Sequence, residues 1–172
     1  FDADGAPLTP AARAKAISNA AKGGKRVIRL VDGDGAMTGH LADEAAACVK
    51  AGWPFQVVPG VSPVAAVPVF AGVPLTNKSV REVRVVDVAD TKIDWASLAS
   101  KDATIVLSGT TERSLVGNAA AKLIEVGLDP ATPVITTWSG TTTEQRTVAG
   151  TLADIVNALP AGTLAPTAVT VV

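Results

Sequence analysis

The segment from Gln56 to Thr76 constrains the fold of this chain more than any other part of its sequence. Its residue order predicts a buried strand, a Pro-Gly corner, a helix of small apolar residues and a second, proline-marked turn. A helix with almost no large polar side chains must be covered by neighbours on nearly every face. Open α/β sheets bind ligands at such corners, where backbone donors and the Ser62 hydroxyl are available.

The remaining sequence predicts an alternation of helices and strands, which is typical of a parallel sheet in the first half. The predicted elements of that half are a helix between Thr9-Pro10 and Gly23-Gly24, strands over 25–31 and 54–58, a helix over about 40–50, and the small-residue helix. Those of the second half are a half-exposed strand over 80–88, a buried strand over 104–107, a helix capped by Thr110 or Thr111 and ended by Gly127, strands over 133–138 and 146–149, a short helix after Thr151 and a strand over 168–172. We expect an α/β protein with domains over 1–76 and 77–172.

Composition excludes several classes of function. The 172 residues carry a net charge of −1, which gives no electrostatic footprint for nucleic acid or an anionic membrane. Cys48 is the only cysteine, so no internal disulfide forms and a cytoplasmic location is expected. We expect no membrane span and no signal peptide. The chain begins at Phe1 rather than Met, and we expect an N-terminal part of the protein to precede it.

The glycine-rich segment from Asp32 to Gly39 follows a predicted strand and leaves two interpretations open. Glycines there allow a phosphate-like group to approach the backbone, or they serve a tight turn. A calcium loop is disfavoured by its spacing. A dinucleotide fingerprint is disfavoured as well, because no acid follows Val58. Asp34, between two glycines, is the residue favoured for binding. His40, the sole histidine, is interpreted as a helix-terminal residue rather than a catalytic one.

Five ordered motifs occur along nearly the whole chain. They are Gly24-Lys-Arg-Val-Ile-Arg-Leu30, Phe55-Gln-Val-Val-Pro-Gly-Val-Ser62, Ala71-Gly-Val-Pro-Leu-Thr76, Gly127-Leu-Asp-Pro-Ala-Thr-Pro-Val134 and Gln145-Arg-Thr-Val-Ala-Gly-Thr-Leu152. Through these motifs the chain resembles the tetrapyrrole methylase family, and within it the uroporphyrinogen-III C-methyltransferases.

The resemblance implies a two-domain tetrapyrrole methylase fold, with the first part of the N-terminal domain missing from this chain, and a homodimer. It also implies S-adenosyl-L-methionine as cofactor, and C-methylation of uroporphyrinogen III towards precorrin-2 in the sirohaem and cobalamin branch of tetrapyrrole biosynthesis. A single histidine cannot complete a zinc site with the other ligands available, so we expect no metal, and no catalytic residue is identified. Mapped onto this sequence, the family's cofactor positions fall on Asp32, Gly33, Asp34, Ser62, Pro63, Ser108, Gly140 and Ala168.

The chain departs from the family pattern in its glycine-rich segment. Asp32-Gly-Asp-Gly35 stands in place of Gly-Gly-Asp-Pro, and Thr38 to Leu41 lack a substrate-side arginine. Ser108 replaces a hydrophobic residue that packs on the cofactor. The family's N-terminal Gly-x-Gly-Pro-Gly loop is absent from the sequence. These departures favour an alternative hypothesis, a catalytically degenerate structural or partner domain, beside a uroporphyrinogen-III synthase domain in a longer protein.

Overall fold

The computed structural model describes residues 8–37, 41–165 and 167–172 and divides the chain into two compact units. The units are Phe1–Ser62 and Pro63–Val172. The mixed α/β class expected from the sequence is confirmed. The small-residue helix, Pro63–Phe70, groups with the second unit, whereas the sequence-based boundary lies after residue 76. That later boundary stays a prediction for the domains of the family.

The first unit contains two helices, α1 (Pro10–Lys22) and α2 (Leu41–Ala51). Thr9 caps α1 as predicted, because its hydroxyl accepts a hydrogen bond from the backbone N–H of Ala12 at 3.2 Å. The strands predicted over 25–31 and 54–58 are wrong, since neither segment is assigned as a strand. An apolar extended sequence becomes a strand only when another strand accepts its backbone hydrogen bonds, and no described segment of this unit does so.

Glu44 on α2 is a buried charged residue of the first unit, with 7% of its surface exposed. Its carboxylate lies 2.8 Å from Nε of Arg13 on α1 and 3.4 Å from Nε of Arg29. Burying a carboxylate is costly unless cations and hydrogen bonds compensate for the lost water. One carboxylate therefore joins both helices and the extended segment 25–31.

The second unit is built on a five-stranded sheet. Its elements are α3 (Pro63–Phe70), β1 (Glu82–Asp87), α4 (Trp95–Leu98), β2 (Ala103–Ser108), α5 (Arg113–Glu125), β3 (Pro133–Trp138), β4 (Arg146–Thr151), α6 (Ile155–Ala158) and β5 (Val169–Val171). The strand order is β1-β2-β5-β3-β4. Strands β1 and β2 are parallel, whereas β5 is antiparallel to both β2 and β3, and β4 is antiparallel to β3.

The predicted cap of α5 is wrong. Glu112 occupies the N-cap position without a side-chain capping bond, and the Thr110 side chain is fully buried instead. Glu112 also forms an isolated bridge with Thr163, and α5 starts one or two residues later than a cap at Thr111 or Thr110 would give. Tertiary pairing thus overrides a local capping preference.

The core of the second unit has one cluster on each face of the sheet's central strands. Ile105 and Leu107 on β2 pack with the buried stripe of α5, which includes Val116 and Leu123. Alternate residues of a strand point to opposite faces, so Val106 joins the other cluster. That second cluster consists of Val67, Val106, Val169 and Val171, with Val64, Val73, Leu75 and Val83 packed against it.

Candidate cofactor site

Residues 32–37 of the first unit form a tight loop, which we call the glycine loop. Gly33 has φ +69°, a conformation that side chains with a Cβ rarely adopt. Asp34 Oδ1 accepts a hydrogen bond from the backbone N–H of Ala36 at 2.8 Å, and the N–H of Met37 donates to the Asp34 carbonyl at 3.0 Å. These bonds define an aspartate-centred turn at Asp34, and the predicted contact of this residue with a cofactor stays a prediction.

The Pro59-Gly60 corner lies directly against the glycine loop. The backbone N–H of Gly60 donates to Asp34 Oδ2 at 3.2 Å. A Cβ atom at Gly60 would lie 2.0 Å from the carbonyl oxygen of Gly33, so only glycine fits at this contact. The structure therefore brings together two segments that are 26 residues apart and that the sequence analysis treated separately.

Ser62 lies two residues after the corner and directly before α3, whose first residue is Pro63. Its Oγ is shielded from solvent and has no hydrogen-bond partner among the described residues. Buried hydroxyls are almost always paired, so an unpaired one at a predicted ligand site is a candidate for a hydrogen bond to a ligand. Asp32, in contrast, is exposed at the start of the glycine loop.

Three of the four predicted site residues of the second unit, all except Pro63, share one edge of its sheet. The carboxyl ends of β2 and β3 and the amino end of β5 meet there, because Leu107 pairs with Thr170 and Thr137 with Val169. Open α/β sheets bind ligands outside the carboxyl ends of their strands. The site residues at this edge are Ser108, Gly140 and Ala168. Ser108 donates its hydroxyl to the Val86 carbonyl at 3.3 Å.

The turn after β3 is closely packed and strained. Ser139 and Thr141 have φ of 48° and 66°, which non-glycine residues adopt only at an energetic cost. Between them, Gly140 is buried, and a Cβ there would lie 2.4 Å from a methyl group of Val67. Packing against α3 therefore explains this glycine without reference to a ligand.

The polar loop that follows this turn is held by its own side chains. Gln145 Oε1 accepts a hydrogen bond from the backbone N–H of Thr141 at 2.8 Å. The hydroxyl of Thr143 donates to Glu144 at 2.5 Å, and this bond, reinforced by the Thr142 hydroxyl, holds the pKa of the Glu144 carboxyl below its usual value. Side-chain oxygens of this loop thus bond to other groups of the same loop, as in an ordinary Ser/Thr turn.

Two further polar residues lie at the same sheet edge and were missed from the sequence. Asp87 ends β1 opposite Ser108, and a Cβ at Gly109 would lie 2.3 Å from its Oδ1. The Thr110 hydroxyl is fully buried without a partner among the described residues. An acid at the end of a strand was the available signal for Asp87. Nothing in the local sequence marked Thr110 as anything but a helix cap.

Within the described residues, no group of three or more His, Cys, Asp or Glu side chains could hold a metal ion. His40 lies outside the described residues. In the same part of the chain, no helix has the length and apolar character needed to cross a bilayer.

Three comparisons relate the chain to known proteins. The sequence model of the Tetrapyrrole (Corrin/Porphyrin) Methylases matches residues 2–156. Siroheme synthase 1 of Klebsiella pneumoniae is 38% identical over 142 residues, which cover 79% of this chain and 30% of that protein. An S-adenosyl-L-methionine-dependent uroporphyrinogen III methyltransferase of Methanosarcina barkeri is 32% identical over 172 residues, with 96% and 67% covered.

Among solved structures, uroporphyrin-III C-methyl transferase from Thermus thermophilus, complexed with S-adenyl homocysteine, matches with a TM-score of 0.76. Its sequence is 23% identical, and the match covers 92% of this chain and 70% of that chain. The fold expected from the sequence motifs is therefore confirmed. The chain spans less than a third of the siroheme synthases that it matches, at 30% of the first of them.

Proposed function

The chain belongs to the tetrapyrrole (corrin/porphyrin) methylases, and from this premise we propose that it is an S-adenosyl-L-methionine-dependent methyltransferase. The substrate we propose is uroporphyrinogen III, methylated on ring carbons towards precorrin-2. The observation that carries the proposal is the pairing of the glycine loop with the Pro59-Gly60 corner, followed by the unpaired Ser62 hydroxyl.

The residues present match the chemistry of the cofactor. Its ribose hydroxyls and amino-acid part need both donors and acceptors, which the backbone of the glycine loop and the Ser62 hydroxyl supply. The exposed Asp32 carboxylate adds a negative charge beside the loop, which favours a cationic ligand. When bound, S-adenosyl-L-methionine supplies a methyl group activated by its positively charged sulfur. We propose that Asp32, Gly33 and Ser62 hold it in the first unit.

In the second unit, we propose Pro63 and the sheet edge with Ser108, Gly140 and Ala168 as the remaining cofactor contacts. Support comes from the shared position of the last three residues at one edge. No side chain is proposed as a general base. Alignment of the methyl group with a nucleophilic ring carbon supplies most of the rate, since proximity and orientation dominate such transfers.

Calorimetric titration of the full-length protein with S-adenosylhomocysteine tests the cofactor proposal. We expect saturable binding at concentrations up to about 1 mM, the upper end of ordinary enzyme affinities. Ser62→Ala should weaken it about tenfold, because a ligand hydrogen bond is lost. Ser79→Ala, at an exposed serine outside the site, is the matched control and should bind like the parent. The absence of binding by the parent would refute the cofactor proposal.

A second candidate function is a methylase-like partner domain without catalysis, and one observation favours it. Large apolar side chains of the first unit are exposed on the segments that flank the glycine loop and the corner. They are Ile28 at 74%, Leu30 at 81%, Val58 at 80% and Val61 at 74%. Exposed apolar side chains that gather into one patch are typical of protein interfaces. Binding of S-adenosylhomocysteine without turnover of uroporphyrinogen III would favour this function over the enzyme.

We propose three properties of the whole protein on the same basis. The exposed apolar segments support a homodimer, or contact with a fused or separate uroporphyrinogen-III synthase domain. The single cysteine, Cys48, supports a cytoplasmic location. Sedimentation of the purified protein distinguishes the homodimer, which doubles the mass, from a monomer that needs another partner.

A further inference from the structure

Asp34 uses both carboxylate oxygens within the first unit. Oδ1 accepts from the N–H of Ala36 in its own loop, and Oδ2 accepts from the N–H of Gly60 in the corner. Hydrogen bonds to an ionised acceptor are stronger than those between neutral groups. The carboxylate therefore acts as a bridge between the glycine loop and the corner.

We propose that Asp34 is a positioning residue, whose carboxylate holds the corner against the glycine loop and so fixes the place of the Ser62 hydroxyl. This role differs from that of a direct cofactor ligand, which the sequence analysis assigned to Asp34. The link to the cofactor rests on the proposed function. The bridge itself rests only on the contacts among Asp34, Gly33 and Gly60.

The corner packs too closely against the glycine loop for Gly60 to carry a side chain. A Cβ atom at Gly60 would lie 2.0 Å from the Gly33 carbonyl oxygen, so the absence of a side chain there permits the bridge to form. Two residues of chain span at most about 7 Å, so a displacement of the corner away from the loop is expected to displace Ser62 as well. Loss of either Asp34 or the Gly60 approach should therefore displace the same hydroxyl.

The bridge is tested first without any cofactor. NMR measures the solvent-exchange rate of the Gly60 amide in the full-length protein and in the variants Asp34→Ala and Asp34→Asn. Loss of one net hydrogen bond predicts exchange about fivefold to tenfold faster in Asp34→Ala. Asp34→Asn keeps one acceptor oxygen and should show a smaller increase. Asp32→Ala, in the same loop, should leave the Gly60 rate unchanged. An unchanged rate in Asp34→Ala would overturn the bridge.

Affinity for S-adenosylhomocysteine then separates positioning from direct contact. If Asp34 acts through Gly60, the double variant Asp34→Ala with Gly60→Ala binds no more weakly than the weaker single variant. If Asp34 contacts the cofactor itself, the two losses multiply, and the positioning role is overturned. Failure of the parent protein to bind would refute the proposed function, whereas the amide exchange result would still stand for or against the bridge.

Discussion

Substitution of Gly140 by alanine is predicted to destabilise the second unit through one identified collision. An added Cβ would lie 2.4 and 2.7 Å from the two methyl carbons of Val67, against an ordinary contact of 3.4–4 Å. Val67 is 2% exposed and belongs to the core cluster on β2 and β5, so its methyl groups have nowhere to move. The backbone of Gly140 is not in the left-handed region, so the collision alone carries the effect.

The expected magnitude follows from two opposing contributions. Overpacking of a core costs about 1–3 kcal/mol, and restricting the unfolded chain by Gly→Ala returns about 0.4–1 kcal/mol. We therefore expect Gly140→Ala to lower the free energy of unfolding by about 1–2 kcal/mol. Val67→Ala removes two buried methyl groups and should cost about 2 kcal/mol. In the double variant the new methyl group at position 140 occupies the space vacated by Val67→Ala, so the loss in free energy of unfolding of the double variant should stay near about 2 kcal/mol.

Urea denaturation followed by circular dichroism measures all three variants. Gly23→Ala is the control, because an added Cβ there meets Ala20 O at an ordinary 3.4 Å, and it should change stability by less than about 0.5 kcal/mol. If the collision causes the loss, Gly140 and Val67 should show a favourable coupling of about 1–2 kcal/mol. If the two single effects add within about 0.5 kcal/mol, the collision is not the cause.

The hydroxyls of Thr136 and Thr170 are buried and hydrogen-bond to each other at 3.0 Å. Thr136→Val leaves the Thr170 hydroxyl unpaired and should lower the free energy of unfolding, measured by urea denaturation, by about 1–3 kcal/mol. Changing both threonines to valine should lower it by less, and equal losses in the single and double variants would contradict this explanation. Glu44→Gln should lower the free energy of unfolding by about 2–3 kcal/mol, a loss between those measured for exposed and for fully buried ion pairs. A thermal midpoint equal to that of the parent protein would argue against the ion-pair network. The backbone N–H of Thr151 donates to Asp154 and lowers the pKa of that carboxyl from its ordinary 3.8. This stabilisation is present above pH 3.8 and is lost as pH falls through the lowered folded-state pKa, so Asp154→Ala should lower the thermal midpoint near neutral pH but not in strong acid. A difference that persists in acid would rule out the carboxylate as its source.

Elements with strong local signals were predicted correctly from the sequence. Thr9 and Gly23 lie at the two ends of α1 as expected, and Gly127, with φ +103°, follows the end of α5. The buried strands over 104–107 and 133–138 also form. In each case the signal lies within the element or at its end, as a capping residue, a terminal glycine or an apolar run.

Features that depend on partners distant in sequence were not predictable. The segments 25–31 and 54–58 have strand-like sequences, but backbone pairing decides whether a strand forms, and a single sequence does not reveal pairing. The residue type and position of Thr110 favour a helix cap, but its side chain is buried instead. The site shows the same limit. The motifs located the glycine loop and the corner, but nothing in either indicated that Asp34 bridges them.

The central claim, that this chain is an S-adenosyl-L-methionine-dependent tetrapyrrole methylase, is tested most directly by methyl transfer. The full-length protein is incubated with uroporphyrinogen III and S-adenosyl-L-methionine that carries an isotopically labelled methyl group. We predict label on ring carbons of the tetrapyrrole, with a slower rate for Ser62→Ala and an unchanged rate for Ser79→Ala. Protein that binds S-adenosylhomocysteine but leaves uroporphyrinogen III unlabelled would contradict the claim and favour the partner domain.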